Sequence, residues 1–248
     1  MRLWLLDLDD TLLVDHGVSR EVLEALGEEV GVKGLYGAVR ARAEALFREA
    51  PFYPWAERIG HSALEALWAR YTTPGLEDLA AWAWPFRERV FREALAALEG
   101  PLERARELAE AFYERRRQYP LFPEVPAFLE ALRARGATLV LLTNGVPDLQ
   151  REKLVGSGLK GAFDLTLVSG EVGLGKPDPR LFRMALCAFG APPEEAVMVG
   201  DNPERDVQGA LAAGIRAVFV DRGHRPPDPR YPAHLEVKDL KEALALLS

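Results

Sequence analysis

Apolar positions along the 248-residue chain follow two different rhythms. Residues Leu3–Leu6 are apolar throughout and stop at Asp7, the pattern of a strand covered on both faces. Runs of the same kind lie at 138–142, 163–168, 196–199 and 217–220. A helix ending at Gly136 precedes the second run, and helix-like stretches at 148–155, 180–189 and 205–213 separate the others. Continuous apolar strands alternating with helices predict a parallel sheet with helices on both faces. From about residue 15 to 118 the rhythm is helical. Val22, Leu23, Leu26 and Val30 share one helical stripe, as do Leu64, Leu67, Trp68 and Tyr71. Breakers at Pro51, Pro54, Pro74, Gly75, Pro85, Gly100 and Pro101 divide this stretch into five or six predicted helices. The first strand is needed to complete the sheet. The chain therefore reads as a discontinuous α/β domain, residues 1–14 and 119–248, interrupted by an all-helical insert, residues 15–118.

Composition narrows the function. Hydrophobic residues make up 48% and charged residues 28%, as in an ordinary soluble protein. With 38 acidic against 31 basic side chains, the net charge of −7 argues against nucleic acid or an anionic membrane as partner. No apolar run reaches the ~18 residues of a membrane-spanning helix. The first residues, MRLWLLDLDDTLL, place acids where a secretory leader needs an apolar stretch, which predicts a cytoplasmic protein. The single cysteine, Cys187, excludes an internal disulfide and a cysteine-built zinc site, and is expected to pack within a helix. Trp55, Trp68, Trp82, Trp84, Phe86 and Phe91 are expected to form the insert's own core. Arg87, Arg89, Arg92 and the arginines at 115–117 are expected on solvated helix faces, the alternative being an anion site. His16 reads as a solvated residue at the entry to the insert.

Polar residues gather where the predicted strands stop. Asp7, Asp9, Asp10 and Thr11 follow the first strand; Thr143, Asn144 and Gly145 follow the second. Lys176 stands alone in a Gly-Lys-Pro-Asp-Pro loop, and Asp201 follows the run at 196–199, with Asp206 five residues on. In an open parallel sheet, ligands bind at the carboxyl ends of the strands. Asp7, Asp9 and Asp201 meeting there would gather negative charge that is costly without a cation. Oxygen ligands without His or Cys favour Mg²⁺, whose remaining waters a phosphate can replace. One carboxylate can then attack phosphorus, and a second acid can protonate the leaving oxygen and later activate water. Lys176, Thr143, Asn144 and backbone N–H groups are suited to hold the phosphoryl oxygens.

The motifs resemble those of the haloacid dehalogenase superfamily. DLDDT at 7–11, LLTNG at 141–145, GKPDP at 175–179 and GDNPERD at 200–206 match its four motifs in its order. The resemblance implies a Rossmann-like parallel sheet core with helices on both faces, plus an inserted helical cap domain. It implies Asp7 as nucleophile and metal ligand, and Asp9 as general acid/base that also binds the metal through its backbone carbonyl. It implies Thr143, Asn144, Gly145 and Lys176 as phosphate-binding residues, Asp201 as a metal ligand and Asp206 as a residue that completes or orients the metal shell. Asp10 matches a variable position. The implied activity is Mg²⁺-dependent hydrolysis of a phosphate monoester through an aspartyl-phosphate. Phosphoglycolate, nucleotides, sugar phosphates and sugar-acid phosphates are candidate small phosphorylated metabolites; the sequence leaves the substrate and the oligomeric state open. The alternatives are a phosphomutase, whose first motif usually reads Asp-Gly before its Thr, and a dehalogenase, whose motif lacks the second acid. Two further alternatives are a response-regulator receiver, too small for the insert, and a non-catalytic phosphate-binding protein.

Overall fold

The computed structural model describes residues 2–246. In chain order the elements are β1 (Leu3–Leu6), α1 (His16–Glu29), α2 (Leu35–Phe47), α3 (Tyr53–Ile59), α4 (Glu77–Ala97), α5 (Ala105–Arg115), α6 (Val125–Ala134) and β2 (Thr138–Thr143). They continue with α7 (Pro147–Gly156), β3 (Leu165–Val168), α8 (Ser169–Val172), α9 (Pro179–Phe189), β4 (Ala196–Gly200), α10 (Gly209–Ala212), β5 (Arg216–Val220), β6 (Leu235–Val237) and α11 (Leu240–Leu246). The described residues separate into two compact units, one of residues 2–14, 120–144 and 157–246, the other of residues 15–119 and 145–156.

The first unit is a parallel six-stranded sheet in the order β3–β2–β1–β4–β5–β6. Leu6 pairs with Leu141 on one side and Val199 on the other, so the chain leaves β1, β2 and β4 along one edge. Both faces are covered, which is why the strands are apolar at every position. Leu3 and Leu5 pack with Val140, Met198, Phe182 and Phe219. Trp4 points the other way, its ring edge-on to Phe128 of α6 at 5.9 Å. The short edge strand β6 escapes sequence reading, because three residues with Glu236 in the middle carry no periodicity.

The second unit is helical, with a core that includes Leu26, Val39, Phe47, Trp68, Phe91 and Phe112. Several expectations are corrected here. The segment 145–156, expected in the α/β domain, clusters with this unit: Val146 and Leu149 join its core, and Lys153 donates to Glu65 at 2.9 Å. Pro85 does not end a helix but lies inside α4, whose 21 residues keep one buried face through Leu79, Ala83, Phe86, Val90 and Phe91. That packing outweighs a cost of ~3 kcal/mol for an internal proline. Trp84 is 41% exposed, its ring lying 4.9 Å from the Arg87 guanidinium instead of in the core. Arg87 and Arg116 are buried, not solvated. Arg87 donates to the carbonyls of Ala66 and Ala69, and burial lowers its pKa to about 10. Arg116 donates to Asp15 Oδ1 at 2.5 Å and to Ser19 Oγ at 2.6 Å. Arg89, Arg92 and Arg115 are exposed and paired with Glu93, Glu88 and Glu29. His16 is half-buried, with Nδ1 3.2 Å from Tyr36 Oη. In the first unit, Cys187 is exposed, because the buried stripe of α9 runs through Leu181, Phe182, Ala185 and Leu186 and turns away from the next residue.

Candidate active site

Asp7 is the first residue beyond β1, and its N–H donates to Val199 O at 3.0 Å, continuing the sheet register for one more residue. The chain then turns on itself: Leu12 and Leu13 donate to Leu8 O, and Asp10 takes a positive φ of 57°. This turn lets Thr11 Oγ1 donate to Asp7 Oδ2 at 3.0 Å. The Lys176 ammonium donates to Asp7 Oδ1 at 2.5 Å and to Asp206 Oδ1 at 2.7 Å, joining residues 169 and 30 positions apart in the chain. Burial alone would lower the Lys176 pKa; Asp206 and Asp7 more than reverse this and leave it raised.

Asp201 follows β4, and Asp206 lies in the wide helical turn Pro203–Gln208. The Asp206 carboxylate accepts from the Asn202 N–H at 3.0 Å and lies against the backbone of Gly200. A Cβ at Gly200 would stand 2.2 Å from Asp206 Oδ2, so the motif needs glycine there for close approach. Carboxylate oxygens of Asp7, Asp201 and Asp206 lie within 4.8 Å of one another, and all three residues are buried. Burial raises the Asp206 pKa to about 7, with Asp7 and Asp201 adding to the rise and Lys176 opposing it. Three hard oxygen donors with a surplus of negative charge suit a divalent cation such as Mg²⁺.

The other expected residues are placed as follows. Asp9 is half-buried on the turn, and its carboxylate is outside the three-acid group; the resemblance assigns its metal contact to the backbone carbonyl. Thr143 is the buried last residue of β2. The Asn144 amide is turned toward the lysine loop: Oδ1 accepts from Lys176 N and Nδ2 donates to Lys176 O, both at 2.9 Å. These two bonds hold the Lys176 backbone in place. Gly145, with φ of 139°, falls in the helical unit, and its N–H donates to Ile59 O at 3.1 Å.

Two residues at this cluster, His224 and Arg225, were not singled out from the sequence. His224 Nε2 lies 3.0 Å from Asp201 Oδ2 and 3.6 Å from Asp10 Oδ2, and Arg225 Nη1 donates to Asp201 Oδ2. The hydrogen bond to Asp201 raises the His224 pKa, against the effect of burial. Burial would lower the pKa of Arg225, but Asp201 and then Asp10 raise it. The available signal was position: residues 221–225 follow β5 at the carboxyl edge of the sheet.

The model for haloacid dehalogenase-like hydrolases matches residues 1–214. The chain belongs to this family. This hydrolase is 72% identical over 242 residues to a phosphoserine phosphatase of Thermus thermophilus, covering 98% of this chain and 97% of the relative. It is 30% identical to the N-acylneuraminate-9-phosphatase of Mus musculus, covering 97% of this chain and 91% of the relative. Among solved structures it is similar to a HAD phosphatase from Thermococcus onnurineus, with a TM-score of 0.60, 25% identity and coverage of 100% and 98%. The hydrolase is a phosphatase, acting on a phosphate monoester of a small metabolite. Among the described residues no helix is long and apolar enough to cross a membrane.

Proposed function

We propose that the chain hydrolyses O-phosphoserine, using Mg²⁺, with Asp7 as nucleophile. Identity of 72% to a phosphoserine phosphatase, along nearly the whole of both chains, carries the substrate assignment. Phosphoserine is outside the metabolite classes the sequence suggested. The two-acid turn after β1 and the Lys176 bridge support the chemistry. The ion, when bound by Asp7, Asp201 and Asp206 with the Asp9 carbonyl, supplies positive charge that shields the substrate dianion from the carboxylates. Asp7 Oδ attacks phosphorus, and the bond from phosphorus to the serine oxygen breaks. Asp9 gives that oxygen its proton, then takes a proton from the water that cleaves the aspartyl-phosphate and returns Asp7 to its free carboxylate. Lys176, held in place by Asn144, balances charge between Asp7 and Asp206, and Thr143 donates to a phosphoryl oxygen. Asp9 favours this reading over dehalogenation, which needs no acid for the leaving group. The helical unit serves as a cap that selects the leaving group, and the setting is cytoplasmic.

The test is phosphate release from a panel of O-phosphoserine, N-acylneuraminate 9-phosphate, phosphoglycolate and nucleoside monophosphates. O-phosphoserine is expected to show the highest kcat/KM, EDTA to stop turnover, and Mg²⁺ to restore it. A better kcat/KM with another member of the panel overturns the substrate; full activity in EDTA overturns the cation.

A further inference from the structure

The loop after β5 brings a permanent positive charge onto a carboxylate that the reading above gives to the metal. Arg225 donates from Nη1 to Asp201 Oδ2, the same oxygen that His224 Nε2 approaches at 3.0 Å. The Asp201 side chain is almost fully buried, whereas that of Arg225 is 41% exposed, so the guanidinium reaches inward from the surface. Lys176 serves Asp7 and Asp206. Arg225 serves the third acid of the same group. A guanidinium does not give up its charge by losing a proton. A divalent ion on the three acids therefore meets a fixed like charge at one of its own ligands, and two cations sharing a carboxylate in a buried site repel strongly. The neighbourhood holds further acid: Asp10 Oδ2 is 3.6 Å from His224 Nε2 and faces the same loop.

We propose that Arg225 is a tethered counter-cation that competes with the divalent ion for Asp201 and thereby sets the site's affinity for metal. The proposal rests on the cation-dependent reading of the site. Asp201 then has two states, one shared mainly with Arg225 and one shared mainly with the ion, and the loop at 221–225 moves between them.

The test is calorimetric titration of the full chain with Mg²⁺ in the absence of substrate, on the parent, Arg225→Gln and Arg225→Lys. Removing the charge is expected to tighten the Mg²⁺ dissociation constant by about tenfold. Keeping the charge, in Arg225→Lys, is expected to leave it within about twofold of the parent. High salt is expected to narrow the gap between parent and Arg225→Gln. Circular dichroism in EDTA reports whether each variant folds; if Arg225→Gln does not, Arg225→Met, which keeps the aliphatic stem, carries the same expectation. An unchanged constant in the neutral variant overturns the proposal. So does a weaker one, which would make Arg225 a clamp that orients Asp201 for the ion. Absence of any Mg²⁺ binding to the parent overturns the cation-dependent reading itself, and is a different result from equal binding by parent and variant.

Discussion

Each unit of this hydrolase buries a cluster of acids, and the two clusters are balanced differently. In the helical unit, Glu65 accepts from Lys153 at 2.9 Å, from Gln150 at 3.0 Å and from both the N–H and hydroxyl of Ser62 at 3.0 Å. Asp15 is paired with Arg116 at 2.5 Å and with Lys153 at 3.3 Å. Burial pushes both carboxyl groups upward, yet Lys153 with its neighbours holds both below their ordinary range. In the α/β unit, Asp7, Asp201 and Asp206 share Lys176 and the half-exposed Arg225, and Asp206 rises to about 7. A buried network whose charges cancel is a framework; one left short of positive charge is a place for a cation. Both clusters lie largely out of solvent, Asp15 being only half-buried, and the count and reach of the basic partners sets them apart.

The comparison can be broken most severely at the α/β cluster. Asp7→Asn is expected to lower kcat by ~10³-fold or more while leaving the circular dichroism spectrum unchanged, because it removes the nucleophile from a site that is otherwise intact. Next in size is a matched pair of lysine replacements, followed by urea unfolding with and without Mg²⁺. Lys153→Met leaves two buried carboxylates without their shared partner and is expected to cost about 3–5 kcal/mol, with no rescue by Mg²⁺. Lys176→Met is expected to abolish activity, but its stability loss should be largely restored by Mg²⁺, since the ion can balance Asp7 and Asp206. Equal rescue of both variants would remove the distinction between the clusters.

The smallest effect is in acid. Glu65 and Asp15 have depressed folded pKa values, so the unfolded chain binds more protons than the folded one as the pH drops below their ordinary values of 4.5 and 3.8. Their stabilisation is therefore present above that range and lost as the pH falls through it. Urea midpoints measured from neutral pH down to ~3 should fall more steeply for the parent than for Lys153→Met, which has already lost the pairing.

Much of this was legible in the chain because it depends on local pattern. Leu3–Leu6 reads as a strand since both of its faces are covered. Asp7 and Asp201 mark strand ends because an unpaired carboxylate is costly inside a sheet, and Gly200 could be no larger residue with Asp206 against it. Pro85 read as a breaker because a local rule does not know how much apolar surface α4 buries. Arg87 and Arg116 read as solvated because only the fold supplies the carbonyls and the carboxylate that receive them. Asn144 was found at the site, but its grip on Lys176, 32 residues away, was not readable.

The sequence by itself determined the strand–helix alternation, the helical insert and the four acid- and lysine-bearing motifs, since each is set by residues close together in the chain. The tertiary structure alone decided the assignment of α7 to the helical unit and the gathering of Lys176 between Asp7 and Asp206. It also decided the approach of His224 and Arg225 to Asp201. The physical reason is range: periodicity and turn chemistry act over a few residues, whereas charge balance in a buried site is summed over every group the fold brings near, however far apart in sequence.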